Sequence, residues 1–164
     1  MRETSPPRHW AAFAAAAPEL AAAAEARFAA HTHHTLATLR RDGSPRTSGI
    51  EVQFRYGELT MGMMPDSVKA RDLLRDPRFA LQANHGSGAG ELAQGDVRVA
   101  GRAVEVVDAD ELARFRAEVG PPPGPFHLFR TEVTEVVRTT VEDEQYLVVE
   151  FWTPAAGVRR RRRT

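Results

Sequence analysis

Two different periods order the apolar residues of this chain, and the change from one to the other divides it. Up to residue 30 the marked positions fall three or four apart: Trp10, Phe13, Ala17, Leu20, Ala24 and Phe28. That spacing gathers them on one face of a helix. Residues 5–30 are therefore expected as helix in two pieces. Ser5 can cap a start at Pro6, and Pro18 must interrupt the run, because proline lacks an amide and clashes one turn back. From residue 33 the period is two. Residues 34–41 and 45–55 read as strands around Asp42-Gly43, a dipeptide that supplies the positive φ of a tight hairpin. In the second of them Ile50, Val52 and Phe54 alternate with Glu51, Gln53 and Arg55. Tyr56-Gly57 turns the chain again, and residues 58–63 form a third strand.

Residues 66–75 are a short helix, capped by Asp66 or Ser67 and stopped by Asp76-Pro77. A fourth strand spans 79–83. The stretch 84–95 carries four glycines and no period, and reads as a mobile surface loop. Residues 96–107 are a long strand whose apolar phase slips from Val97 and Val99 to Val104 and Val106. The slip spans Gly101, where a bulge is expected. Asp108 with Glu111 is a capping box opening a helix to Val119. Residues 120–125, Gly-Pro-Pro-Pro-Gly-Pro, form a rigid connector. Strands at 131–140 and 145–152, joined by a turn at 142–144, close the chain. Strands in hairpin order with helices only at the margins make a mainly β fold, an antiparallel barrel rather than a doubly wound sheet.

Composition narrows the chemistry. A chain of 164 residues suits one domain, expected over residues 1–158 with 1–30 as its N-terminal helical segment. There are no cysteines, which removes disulfides, thiolate zinc, iron–sulfur clusters and a cysteine nucleophile. No apolar run approaches the ~20 residues of a membrane span, and Pro18, Glu19, Glu25 and Arg27 spoil the Ala-rich start as a signal peptide. A cytoplasmic protein is expected. Basic and acidic residues balance at 22 each, but Arg159 to Arg163 are a terminal run. The other 17 basic residues face 22 acidic ones, a net charge of −5 for the body. Residues 159–164 read as a disordered, solvated basic tail. The alternative is a contact with nucleic acid that weakens steeply with salt; with the basic residues in an appendage, nucleic acid is not the partner expected. Lys69 is the only lysine.

That lysine lies in Met61-Gly62-Met63-Met64-Pro65-Asp66-Ser67-Val68-Lys69-Ala70-Arg71, where a strand ends and a helix begins with a hydroxyl and two cations. Free amides at a helix start attract anions. Ser67, Lys69 and Arg71 could bind a phosphate there, and Arg46 could reach it from the neighbouring strand; an ordinary capped surface helix is the alternative. Other candidates are weaker. His31, His33 and His34 cluster without a nearby carboxylate, and no metal is expected. His85 and His127 could be acid–base groups or polar surface. The chain has no Gly-x-Ser-x-Gly, no P-loop and no Gly-x-Gly-x-x-Gly.

Residues 36–50, Leu-Ala-Thr-Leu-Arg-Arg-Asp-Gly-Ser-Pro-Arg-Thr-Ser-Gly-Ile, followed by Ser67-Val-Lys69-Ala-Arg-Asp-Leu-Leu-Arg-Asp-Pro77, resemble the flavin-binding split-barrel family related to pyridoxamine 5′-phosphate oxidase. Gly95-Asp-Val-Arg-Val-Ala-Gly101-Arg-Ala-Val-Glu105 resembles the family's long barrel strand, and the three blocks come in family order. The resemblance implies a six-stranded antiparallel split barrel, dimeric, with FMN (or a deazaflavin coenzyme) in a groove between subunits. It implies that Ser67 and Lys69 hold the phosphate with Arg46 approaching, that Thr47, Ser48 and Gly49 run beside the isoalloxazine ring, that Met63 lies under the ring or ribityl chain, and that Trp152 stands near the cofactor of the partner subunit. It further implies an oxidoreductase that passes a hydride or electrons to a small organic substrate. Departures are specific. Met63-Met64 replaces a Thr-Asn pair, Val68 an arginine, and Asp96 a cofactor-contacting glutamine. Gly157-Val-Arg-Arg stands in place of the Arg-x-His substrate element, so vitamin B6 oxidation itself is not expected. A non-catalytic flavin, deazaflavin or haem binding protein on the same barrel is the alternative.

Overall fold

Pro18 divides the N-terminal stripe into α1 (Trp10–Ala16) and α2 (Pro18–Ala29), and occupies the first position of α2, where a missing amide costs nothing. The computed structural model describes residues 9–87 and 94–164. The expected cap at Ser5 and the middle of the glycine-rich loop lie outside the described residues. The strands are β1 (His34–Leu39), β2 (Pro45–Ile50), β3 (Val52–Arg55), β4 (Glu58–Met63), β5 (Arg78–Gln82), β6 (Asp96–Glu105), β7 (His127–Glu142), β8 (Tyr146–Thr153) and β9 (Gly157–Arg163). Helix α3 (Val68–Arg75) follows β4, and α4 (Ala109–Val119) follows β6.

All pairings are antiparallel, and the sheet runs β2-β1-β5-β6-β7-β4-β3. Its two outer members are one piece of chain. Residues 45–50 pair with β1, residues 52–55 pair with β4, and only Glu51 separates them. The bent segment thus closes a barrel of six strands. The single strand expected over 45–55 is corrected to two: the alternation of side chains continues, but the hydrogen-bonding partner changes at Glu51. β7 begins at His127, earlier than expected, because its first residues pair with β4 from Met63↔His127 to Thr60↔Arg130. Its far half turns instead to β8, from Val136↔Trp152 to Glu142↔Tyr146.

The arginine run is not a disordered appendage. Gly157–Arg163 is strand β9, paired along β8 from Thr153↔Gly157 to Leu147↔Arg163. A turn reverses the chain, with the Ala156 amide donating to the Thr153 carbonyl at 3.3 Å and Gly157 at φ +66°. Glu142, Asp143 and the Tyr146 ring then receive guanidinium charge that would otherwise repel itself.

The bulge expected at Gly101 is present, but the extra residue belongs to the partner strand. Ala100 faces Glu135 and Gly101 faces Val133, so Thr134 is left over, and its hydroxyl donates to the Ala100 carbonyl at 3.2 Å. The inward phase of β6 therefore does not slip at Gly101; Val97, Val99, Gly101 and Ala103 are all buried. A Cβ on Gly101 would stand 1.9 Å from the Glu132 carbonyl oxygen. Val106 belongs to a second, smaller core with Phe115 of α4 and Leu128. The main core lies between the barrel and the N-terminal helices. Trp10 meets Phe13 and Phe54 edge-on at 4.8 Å between centroids, and Phe13 meets Trp152 at the same distance. No described helix is long and apolar enough to cross a membrane.

Candidate functional site

β4 ends in Met63, and Met64-Pro65-Asp66 leads into α3. Ser67 caps that helix, its hydroxyl accepting from the Ala70 amide at 3.4 Å. Asp66 takes a left-handed φ of 57°. Its amide points to Nε2 of His127 at 3.4 Å, while Nδ1 of the same ring lies 2.9 Å from the Glu105 carboxylate. A ring that accepts at Nε2 must carry its proton at Nδ1 and donate it to Glu105. His127 thus braces the turn before α3, a role its bare sequence position does not announce.

Across from α3 runs β2, an edge of the sheet order. The Arg40 amide donates to the Ser44 carbonyl at 2.9 Å. Antiparallel alternation from that pair directs the backbone groups of Arg46, Ser48 and Ile50 to β1, and those of Thr47 and Gly49 away from it. The Gly49 carbonyl accepts from Lys69 Nζ at 2.6 Å. No atom lies within 4 Å of where a Gly49 Cβ would stand. The contact with β2 partly buries the lysine, and burial pushes its ammonium down from the ordinary lysine value.

Arg46 does not point freely at this helix start. Its Nε donates to Asp72 at 2.7 Å, and Asp72 also accepts from Thr38 at 2.8 Å and Arg75 at 2.9 Å. Burial alone would raise the Asp72 carboxyl, but the bonds from Arg46, Arg75 and Thr38 outweigh it and hold the group below the usual carboxylate range. Sequence reading missed this hub, because Thr38, Arg46 and Asp72 are brought together only by the packing of α3 against β1. Beside it lies an open groove of about 580 Å³ lined by Arg41, Arg46, Arg71, Arg75, Val68 and Leu74, with Asp72 at its base. Four guanidinium groups thus line a groove with one carboxylate, which only Arg46 and Arg75 of the four engage, and the groove favours an anion.

The structure places Arg46, Thr47, Ser48 and Gly49 on β2 and Ser67 and Lys69 at the start of α3, and joins the two groups through the Gly49–Lys69 bond, while Arg46 is bonded instead to Asp72. Met63 sits at the adjoining strand end but is buried in the core, 4% exposed, while Met64 is 71% exposed. Trp152 is not with them. Its ring is 6% exposed and packs on Phe13 in the main core of its own chain. Asp96 lies at the start of β6 and accepts from Gln82. Among the described residues no group of three or more metal-ligating side chains is present.

The profile of the pyridoxamine 5′-phosphate oxidase family matches residues 20–139. No curated protein matches the chain. Among solved structures, an FMN-binding protein related to pyridoxamine 5′-phosphate oxidase from Nostoc punctiforme superposes with a TM-score of 0.61 at 13% identity, over 90% of this chain and 96% of that one. PhzG of Burkholderia lata, solved with tetrahydrophenazine-1-carboxylic acid, gives 0.60 at 16% identity over 98% and 94%. HutZ, a haem storage protein of Vibrio cholerae, gives 0.54 at 18% over 71% and 89%. At such identities these neighbours share the fold, whereas the family profile spans most of the sequence, from α2 to β7: the chain belongs to the pyridoxamine 5′-phosphate oxidase family.

Proposed function

We propose that this chain is a flavin-type oxidoreductase that binds FMN, or a deazaflavin coenzyme, along β2 and the start of α3, and acts on a small organic substrate in the cytoplasm. The observation that carries this reading is the outward edge of β2. There the backbone groups of Thr47 and Gly49 face away from β1, and the space where a Gly49 side chain would stand is open, next to Lys69 and the arginine groove. Donor–acceptor backbone pairs suit the polar edge of a flavin ring, and the cations suit its phosphate. The residues present therefore fit the group. Bound there, a flavin would supply the ring that takes up and gives back a hydride.

The chain's own residues would hold and orient it. Thr47 and the Gly49 amide offer main-chain hydrogen bonds, the Gly49 carbonyl being held by Lys69, with Ser48 between them turned towards β1. Lys69, Arg71 and Arg41 supply positive charge, and Arg41 and Arg71 have no ion-pair partner among the described residues. Arg46, clamped by Asp72, keeps its side chain in one place. Exposed Met64, Val68 and Leu74 flank the same helix, at 71%, 48% and 51%. A second copy of the chain covering them would form a homodimer and exclude water from the ring.

The Met63-Met64 pair favours a second reading. β4 thus ends in one apolar side chain and is followed by another, as a sequestering haem or flavin carrier would tolerate. Parallel equilibrium titrations with FMN and the deazaflavin coenzyme, followed by cofactor fluorescence, and with haem, followed by its Soret band, separate the two readings. Tight flavin binding that Lys69→Ala weakens about tenfold or more, the worth of one charge-assisted hydrogen bond, supports the proposal. Tight haem binding with no flavin binding replaces it with the carrier reading.

A further inference from the structure

The arginine run changes meaning once it is a strand. In β9 successive side chains alternate between faces, so the five arginines separate into two sets. Arg160 and Arg162 are used by the fold. Both reach Glu142, Arg162 also approaches Asp143 at 3.5 Å, and its guanidinium lies 3.7 Å from the Tyr146 ring centroid. Arg159, Arg161 and Arg163 point to the other face, exposed and without a carboxylate partner among the described residues. Two residues along a strand is about 6.8 Å, so these three form a straight row of charges of one sign.

Each arginine ends a row of residues running across the ribbon: Val137–Phe151–Arg159, Thr139–Val149–Arg161 and Val141–Leu147–Arg163. Val141 is 51% exposed and Leu147 44%, and Arg161 lies over the Phe151 ring at 5.7 Å. The face is therefore a shallow apolar and aromatic strip with a cationic rail along one side. β9 is also the last strand of the sheet, with no strand on its outer side among the described residues.

From this geometry we infer that the β7–β8–β9 ribbon is a binding surface for single-stranded nucleic acid, distinct from the groove beside α3. The phosphate backbone follows Arg159, Arg161 and Arg163, and bases lie on the strip around Phe151, Val149 and Leu147. A repeating polyanion with flat apolar units is the partner that matches a straight row of guanidinium groups beside a ring, since every base offers a π face while the phosphates supply the charge.

The test is fluorescence anisotropy of a labelled oligo-dT strand titrated with the full chain. Neutralising three phosphates gives a slope of about −2 in log affinity against log salt, so about a fourfold rise in salt weakens binding roughly twenty-fold. The triple variant Arg159→Gln/Arg161→Gln/Arg163→Gln is expected to lose at least that factor at low salt and to flatten the slope. The double variant Arg160→Gln/Arg162→Gln, which touches the set engaged by Glu142 and Asp143, is expected to keep most of the affinity. Circular dichroism and a melting curve show that β9 is still formed in each. Phe151→Leu keeps the rail and removes the ring, and a several-fold loss is expected. Affinity unchanged in the triple variant overturns the inference. So does equal competition by inorganic polyphosphate of matched charge, which would mean that no base is contacted. A change from dimer to monomer in sedimentation on the triple substitution, without loss of oligo-dT binding, also overturns it and assigns the face to a second copy of the chain.

Discussion

Gly101 and Glu58 show how single positions carry costs that hydropathy does not register. At Gly101 the backbone of β7 crosses so closely that a methyl group would overlap the Glu132 carbonyl oxygen. Main chain in a paired strand cannot yield as a flexible side chain can. Gly101→Ala is expected to lower stability by about 3 kcal/mol in denaturant unfolding, at the upper end of overpacking effects. Glu58 is a different case. One of its carboxylate oxygens is buried without a hydrogen bond. Burial raises the group above the usual carboxylate range, with His9 and Arg130 pulling it back and Glu111 adding to the rise. A folded-state value above the unfolded one means that protonation favours folding. The contribution is fully present below the unfolded value and is lost as pH rises through the folded one. Glu58→Gln is expected to stabilise the chain by about 1 kcal/mol at neutral pH, and the advantage should vanish in melts run in acid.

At the scale of elements, Asp72 joins three of them. It holds β1 through Thr38, β2 through Arg46 and the last turn of α3 through Arg75. Asp72→Asn removes the charge from the hub and leaves Arg46 and Arg75 facing each other. A loss of about 3 kcal/mol is expected, as for one partner taken from a buried ion pair. Its stabilising effect belongs to a depressed carboxyl, so in the parent chain it is present above the ordinary aspartate value and fades as pH falls below it. Flavin affinity should fall with Asp72→Asn as well, because Arg46 is no longer clamped; titration of the variant checks this. Elements were also where sequence reading succeeded and failed most plainly. The breaks at Pro18, at Asp42-Gly43 and at the Asp108 cap were legible because local chemistry decides them. The division at Glu51 was not, since a strand that changes partners keeps its alternation. Nor was β9, because five arginines in a row read as solvated until their neighbours are known. At the candidate site the helix start was legible from Ser67 and Lys69. The Gly49–Lys69 contact was not, for it depends on how α3 is docked, nor was the packing of Trp152 on Phe13, which depends on how α1 lies on the barrel.

For the whole molecule, protection should follow the barrel's construction. β6 and β7 are paired on both sides over much of their length and line the main core, whereas β2 and β9 are outer members of the sheet. Native-state hydrogen exchange is expected to be slowest at Val97, Val99, Val133 and Val136, and fastest along the outward amides of Thr47 and Gly49. Binding of FMN should slow the two β2 amides selectively, whereas oligo-dT should slow β9. The aromatic contact of Phe13 with Trp152 joins the N-terminal helices to β8, so Phe13→Ala is expected to cost about 4 kcal/mol and to loosen both ends of the chain together.

The placement of β7 sets an order in time as well as in space. It pairs with β6 along most of its length, with β4 through its first residues and with β8 through its last. Until residues 127–142 have left the ribosome, β4 and β6 each present an open edge, and the barrel cannot close however well its earlier hairpins have formed. The seam between Thr60 and Arg130 spans 70 residues, so closure has a large loop to overcome and should be the slow step, in the millisecond-to-second range of strand-rich folds. A chain stalled within the proline connector would therefore be the species most prone to pair with another copy of itself, and release of β7 is the event that ends that exposure.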